Sequence, residues 1–494
     1  MKPFHIFGLG LCLMAGILLI SFFFPTHGLK VMGYTLYFPN QWWHTEQTAA
    51  SYKDINEIIA SVNIDEEADT LNVAVTNDST AIDSTEITVA PKIASLDSLI
   101  AYQHFFELPD GHDTLMYPFF RRLKAAREQS KPLRILHYSD SQIESDRITS
   151  TIRNYMQKNF GGRGCGYIPV VPASDISRSF QGDVPDKWQR FSIHDRKKDS
   201  LAMNRYGIAG AFSRYAATDA ADTATHIGLT PVTFGYRLAR SFTHVRFYYG
   251  NADRPVSVTV NQANTQTLKA GKDVMSALWR FDAPQQSLLL DLVSNPLPDV
   301  YGMTLDGASG VAVDNLPLRG STGTEFTQMD RKQLQKMFAM MDVGAVIYQF
   351  GANAVTMYNG KADYYARLMT QQLQALKSAS PNLLIVVVSA GDMSQNSPNG
   401  YVTYPGLAEI HEAQRKTALE CGCVFWDLRN AMGGENSMPA WVFAEPPLAN
   451  KDFIHFTITG AKIVGELFCK AWETEYRKFI VPTASFSGKP PLRE

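Results

Sequence analysis

The chain has 494 residues, 45% of them apolar and 19% charged, and its 46 Lys and Arg against 48 Asp and Glu leave a formal charge of −2. That length holds two or three domains at roughly 100–200 residues each, and the near-neutral balance supplies no field for collecting nucleic acid. A single long apolar run excludes a multi-span membrane protein.

That run, Phe4 to Phe24, has about 21 residues without a formal charge, enough at ~1.5 Å per residue to cross a ~30 Å hydrocarbon core once. Phe22, Phe23 and Phe24 stand where leader cleavage needs small residues, so residues 1–30 are expected to be an uncleaved transmembrane anchor. Leu11 before Cys12 is too large for lipoprotein processing. Lys2 before the run and Lys30 after it lean towards an inside N-terminus, which would put the rest of the chain outside the cytoplasm, in the periplasm or at the cell surface. Residues 31–95 read as an acidic stalk: from Ser51 to Ile100 there are ten acidic residues against two basic ones, interleaved with Ser, Thr, Asn and Ala.

Globular patterning starts near Leu96. The segment Ser98–Ser130, with a turn at Pro109-Asp110-Gly111, suggests two helices. From Leu133 onward, continuous apolar strands alternate with helical stretches. The strands are Leu133–Tyr138, Gly344–Phe350, Leu383–Ser389 and Cys423–Leu428; the helices are near Ser145–Asn159, Asp363–Ser378, Leu407–Glu420 and Thr459–Lys478. This is a doubly wound α/β layout over 96–176 and 301–480. Between them, residues 177–300 carry short alternating strands at Val232–Leu238, His244–Tyr249, Val256–Val260 and Ser287–Val293, the pattern of an inserted all-β sandwich. Residues 481–494 read as a loose tail. Cys12, Cys165, Cys421, Cys423 and Cys469 are too few for a disulfide framework, and no second pair joins Cys421-Gly422-Cys423 in a zinc site. Neither metal nor cofactor is expected.

Four blocks carry chemistry. Ser139-Asp140-Ser141 ends the first strand and opens a helix, which puts Ser141 at the carboxyl edge of a parallel sheet, where open α/β sheets bind ligands. A serine needs a base. Asp452 and His455, three apart before the last helix, let the carboxylate take one imidazole nitrogen and leave the other for Ser141. Asn353, after the strand that ends at Phe350, and Gly320, after Val311–Leu316, would supply hydrogen-bond donors for an oxyanion.

In this order the blocks resemble the SGNH or GDSL-type hydrolase superfamily, whose motifs supply a serine, an oxyanion-hole Gly, an oxyanion-hole Asn and an Asp-x-x-His. Carried over by position, the resemblance implies catalytic Ser141, Asp452 and His455 and an oxyanion hole of Ser141, Gly320 and Asn353. It also implies a three-layer, flavodoxin-like hydrolase domain. Two departures stand out: Ser139 replaces the family's Gly, and Ala354 replaces its Asp. Further similarity lies in Phe160–Tyr167, Asp314-Asn315-Leu316, Trp426-Asp427-Leu428 and Ala431–Gly434, so it spans about 101–175 and 301–480. The insertion looks like the layout of membrane-anchored bacterial peptidoglycan or polysaccharide O-acetylesterases. The implied function is a serine esterase removing O-acyl groups, in the first place acetyl, from a cell-wall or surface polysaccharide. The same residues would serve a polysaccharide O-acetyltransferase supplied by an acetyl-donating membrane protein, and a catalytically silent polysaccharide-binding protein would keep the fold alone. Trp188, Tyr236, Tyr248, Tyr249 and Trp279 are aromatics that could stack on sugar rings, none of them assigned as a contact.

Overall fold

The computed structural model describes residues 16, 29–31, 34–36, 52–62, 105–173, 180–195, 204–232, 235–398 and 400–481. Apart from Gly16, the Phe4–Phe24 run lies outside these residues, as do residues 63–95 of the expected stalk and the tail after Val481. Among the described residues no helix is long and apolar enough to cross a membrane. The chain divides into two compact units, Met1–Tyr52 and Lys53–Glu494. The described strands of the first are an antiparallel pair, Leu29–Val31 with Tyr34–Leu36.

In the second unit the central sheet takes Phe106–Glu107 (β1), Leu133–Ser139 (β2), Val311–Pro317 (β3), Val343–Gln349 (β4), Leu384–Val388 (β5) and Val424–Trp426 (β6). Their spatial order is β3-β2-β4-β5-β6-β1, all parallel except β1, which closes the edge antiparallel to β6. Largely apolar sequence in β2, β4 and β5 matches burial of every residue in those strands, Arg134 and His137 of β2 included. Alternate side chains leave on opposite faces. Ile135, Val313, Ile347 and Val386 pack under Thr149–Phe160 (α1), and Leu136, Val346, Ile385 and Phe425 under Arg331–Met341 (α2), Ala362–Ala379 (α3) and Leu407–Glu420 (α4). Ile458–Ile480 (α5) covers the same face as α1, so helices flank the sheet on both sides. The five parallel strands thus have the flavodoxin-like order, and the chain reverses its winding between β2 and β4, which opens a crevice beyond their carboxyl ends.

Two antiparallel sheets occupy the chain between α1 and β3. One runs Met275–Gln285, Phe242–Gly250, Asp299–Asp306, Ala211–Tyr215, Trp188–Ser192, with Gly166–Ile168 also on Asp299–Asp306. The other runs Asn264–Leu268, Val256–Val260, Leu288–Val293, Ala224–Pro231, Phe180–Asp183. Val256, Val258, Val260, Leu290 and Leu292 from the second share one core with Val245, Phe247 and Tyr249 from the first. Buried Arg134 of β2 joins this part to the central sheet, donating to Asp306 and Asp314.

Several expectations need correction. The antiparallel strands overrun the 177–300 limits, because Gly166–Ile168 and Asp299–Asp306 pair with each other across them. The described residues of the expected strand Val232–Leu238 form none: the ladder stops at Pro231, and Arg237–Arg240 is a 3-10 turn after Gly235 at φ 110°. In Ser98–Ser130 the described α-helix is Tyr117–Lys124, while Phe106 enters β1 and sets its ring edge-on to Phe468 and Trp472. Part of the expected stalk is folded: Asn56–Ala60 is helical, Ile55 and Val62 are each only 6% exposed in the core, and Lys53 Nζ donates to the Gly433 carbonyl. The five aromatics considered for sugar stacking are all buried, so they pack rather than project.

Candidate active site

The site residues lie beyond the carboxyl ends of β2, β3 and β4. As β2 ends, the Asp140 carboxylate accepts the Gln142 N–H at 3.0 Å and starts a turn over Ser141–Asp146, kinked at Glu144 and Ser145, which turns the Ser141 hydroxyl out of the sheet. Ser141 Oγ is 2.7 Å from His455 Nε2, and His455 Nδ1 is 2.7 Å from Asp452 Oδ2. A carboxylate can only accept, so Nδ1 carries the proton and Nε2 is left to accept from the hydroxyl. Asp452 Oδ1 also accepts the N–H groups of Ile454 and His455, at 3.0 Å each. Burial would raise the Asp452 pKa, but these bonds from His455 and Ile454 hold it below the ordinary carboxylate value. The turn is tight enough to put Phe453 at φ 58°, and its ring is held by stacking on Tyr401. His137, the histidine inside β2, is a different case: burial lowers its pKa to about 4, and it bonds Gln349 and Thr149 within the sheet layer.

Asn353 sits in Ala352–Met357, entered through Gly351, where a Cβ would lie 2.5 Å from the Ala390 Cβ. Its Nδ2 donates to Asp140 Oδ2 at 3.1 Å and to the Ser321 carbonyl at 3.0 Å. Gly320, at φ 75° with open space where a Cβ would stand, is on the loop after β3, and the Leu318 N–H ties that loop to the Ser139 carbonyl at 2.7 Å. Ser321 Oγ anchors the loop on the Glu325 carboxyl. The structure thus joins Ser141, His455 and Asp452 directly and links Asn353 to both the Asp140 side and the Gly320 loop. Asp140 is 2% exposed, and burial pushes its pKa up to about 6 despite the opposing bonds from Gln142 and Asn353. Ser139 and Ala354, the two departures from the family motif, are both fully buried.

Two residues escaped the motif reading. Gln142 Nε2 donates to the Ile454 carbonyl at 2.7 Å, and the Arg147 guanidinium donates to the carbonyls of Ser141 and Phe456. Their partners are main-chain atoms, which have no side-chain spacing to reveal them. A cleft open to solvent runs alongside the turn after Ser141, lined by residues that include Glu144, Asp146, Asn315, Pro169, Val170 and Phe180. Among the described residues no group of three or more His, Cys, Asp or Glu could hold a metal ion.

No family model matches the chain, and no curated protein matches it by sequence. Among solved structures it is similar to a peptidoglycan O-acetylesterase, with a TM-score of 0.60 at 19% identity over 73% of this chain and 96% of that one. More distant are an acetyl xylan esterase (TM-score 0.26, 14% identity, 33% of this chain and 81% of that one) and a family two carbohydrate esterase from Cellvibrio japonicus (0.18, 9%, 49% and 86%). The order of the central sheet and its likeness to the first of these structures show that the chain has an SGNH/GDSL hydrolase-like fold.

Proposed function

We propose that this chain is a serine esterase that removes O-acyl groups, in the first place O-acetyl, from a cell-wall or surface polysaccharide. The observation that carries the reading is the unbroken hydrogen-bonded line from Ser141 Oγ through His455 to Asp452. In the reaction His455 Nε2 takes the hydroxyl proton as Oγ attacks the ester carbonyl, and the imidazolium is balanced by Asp452. The oxyanion is met by the N–H groups of Ser141 and Gly320 and by the Asn353 carboxamide, which exchanges its Ser321 contact for the substrate oxygen. His455 then returns the proton to the departing sugar oxygen, and water, deprotonated by the same imidazole, releases acetate from Ser141.

The substrate class rests on the fold's likeness to a peptidoglycan O-acetylesterase and on the cleft beside the serine turn. We read the paired antiparallel sheets as an inserted β-sandwich of the carbohydrate-binding kind, and Phe4–Phe24 as the anchor that holds the enzyme at the outer face of a membrane. The test is acetate release from O-acetylated peptidoglycan and from p-nitrophenyl acetate. Wild type releases product and Ser141→Ala does not. Equal release by both, or none from either while the protein still retains polysaccharide, overturns the reading. Acetyl appearing on an added oligosaccharide instead of as free acetate converts it to acetyl transfer.

A further inference from the structure

The turn that leads from Ser141 into α1 takes an unfavourable path. Ser145 (φ 61°), Asp146 (φ 61°) and Ile148 (φ 53°) all lie in the left-handed region, which crowds the Cβ of any residue but glycine and is rarest for a β-branched one such as Ile148. Helix initiation does not explain this, because α1 begins without a side-chain cap. The path is held instead by Asp146, whose carboxylate takes a two-pronged bond from buried Arg153 at 2.6 and 2.8 Å, while Arg153 Nε donates to the Val313 carbonyl of β3. What the path delivers, with left-handed residues on both sides, is Arg147.

Arg147 donates to three main-chain carbonyls: Ser141 at 2.6 Å, Phe456 at 3.0 Å and Glu144 at 3.0 Å. The Ser141 carbonyl belongs to the same peptide unit as the Gln142 N–H, which Asp140 holds, so the unit after Ser141 is gripped at both ends. Phe456 directly follows His455. One planar cation therefore spans two segments 314 positions apart in the chain, one carrying the hydroxyl and the other the imidazole. Gln142, donating to the Ile454 carbonyl, straps the same junction on the other side of His455.

We infer that Arg147 is a positioning residue: by tying the Ser141 carbonyl to the Phe456 carbonyl it sets the separation of Ser141 Oγ and His455 Nε2. The inference rests on the serine-esterase reading above. It touches neither reacting atom, and it needs the fork of a guanidinium, because a lysine ammonium is a point charge on a loose stem and does not brace two fixed acceptors at once.

The test compares wild type, Arg147→Lys and Arg147→Ala as full chains, reading kcat and KM on p-nitrophenyl acetate, the rate at which a fluorophosphonate labels Ser141, and the thermal midpoint. Expected for Arg147→Ala is a fall in kcat and labelling rate of about 100-fold, the scale of a misplaced reacting group, with KM changed by less than about threefold. Guanidinium at millimolar concentration restores part of the loss, and Arg147→Lys falls between the two. Unchanged kcat in Arg147→Ala overturns the inference, as does a loss that follows the thermal midpoint and ignores guanidinium. The two readings fail separately: an inert wild type, indistinguishable from Ser141→Ala, removes the esterase and this inference with it, whereas a dead Ser141→Ala beside a fully active Arg147→Ala removes the inference alone.

Discussion

Replacing Asp140 by Asn asks whether a buried carboxylate is kept beside Ser141 at a cost to stability. Asp140 is closed off from solvent, and burial raises its pKa from 3.8 to about 6 in the folded chain, even though Gln142, His455 and Asn353 favour the charged form. In the unfolded chain water solvates the group and its ordinary value returns. Between the two values the folded state binds more protons than the unfolded one, so stability falls as pH rises. The contribution of Asp140 is therefore fully present below about pH 3.8, declines through the window, and is gone above about pH 6. About two pKa units at 1.36 kcal/mol each make this about 3 kcal/mol. The amide of Asp140→Asn does not titrate, so the stability of the variant relative to wild type should rise by about 2.5 kcal/mol between about pH 4 and pH 8. Any fixed penalty from pointing the amide NH2 at the Gln142 or Asn353 donor is the same at both ends and cancels. Urea unfolding of both proteins across that range, with equal m-values, measures the difference. A difference that stays flat or falls as pH rises refutes the reasoning. Activity moves the other way, since one amide oxygen cannot serve both donors, and kcat falls by about tenfold or more as Asn353 loses its orientation.

Three further outcomes are expected. On the proposed mechanism Asn353→Ala removes an oxyanion donor, and it is expected to lower kcat on an activated acetyl ester by about 100-fold with little change in KM; a change confined to KM would place the carboxamide in substrate binding instead. Tyr401→Ala takes away the ring stacked on left-handed Phe453, with centroids 3.8 Å apart, so the Asp452–His455 turn loosens and kcat falls by about tenfold, while Tyr401→Phe keeps the ring and the rate. Ile55→Ala opens a hole under Gly433 and costs about 2–5 kcal/mol in urea unfolding; a change of a few tenths would return residues 53–62 to the role of a tether.

The central sheet was legible because burial on both faces demands mostly apolar strands, and β4, β5 and, apart from Arg134 and His137, β2 have them. The antiparallel part was less so. Asn264–Leu268 is an exposed edge strand with almost no apolar alternation, and Asp299–Asp306 begins and ends on acids yet is buried throughout, because Arg214 neutralises Asp299 and Arg134 neutralises Asp306. Residues 53–62 were misread on composition, although Ile55, Ile58, Ile59 and Val62 fall at the i, i+3, i+4, i+7 spacing of one helix face. Local acidity outweighed a pattern that needed a distant surface near Gly433 to complete it.

The site divides along the same line. Side chains that react must be of particular types, and sheet topology brings the ends of β2, β3 and β4 to one crevice, so Ser141, Gly320 and Asn353 could be placed from strand order and Asp452 with His455 from their spacing. Distances are set differently. Arg147 and Gln142 act on carbonyls of residues whose identity hardly matters, and the left-handed turn that aims Arg147 is made by Ser, Asp and Ile, with no glycine to announce a positive φ. A variant that keeps every motif residue but relaxes that turn, such as Asp146→Asn with its ion pair to Arg153 broken, should retain the fold's strand order and lose rate, because the spacing between hydroxyl and imidazole is a property of the strapping and not of the motif.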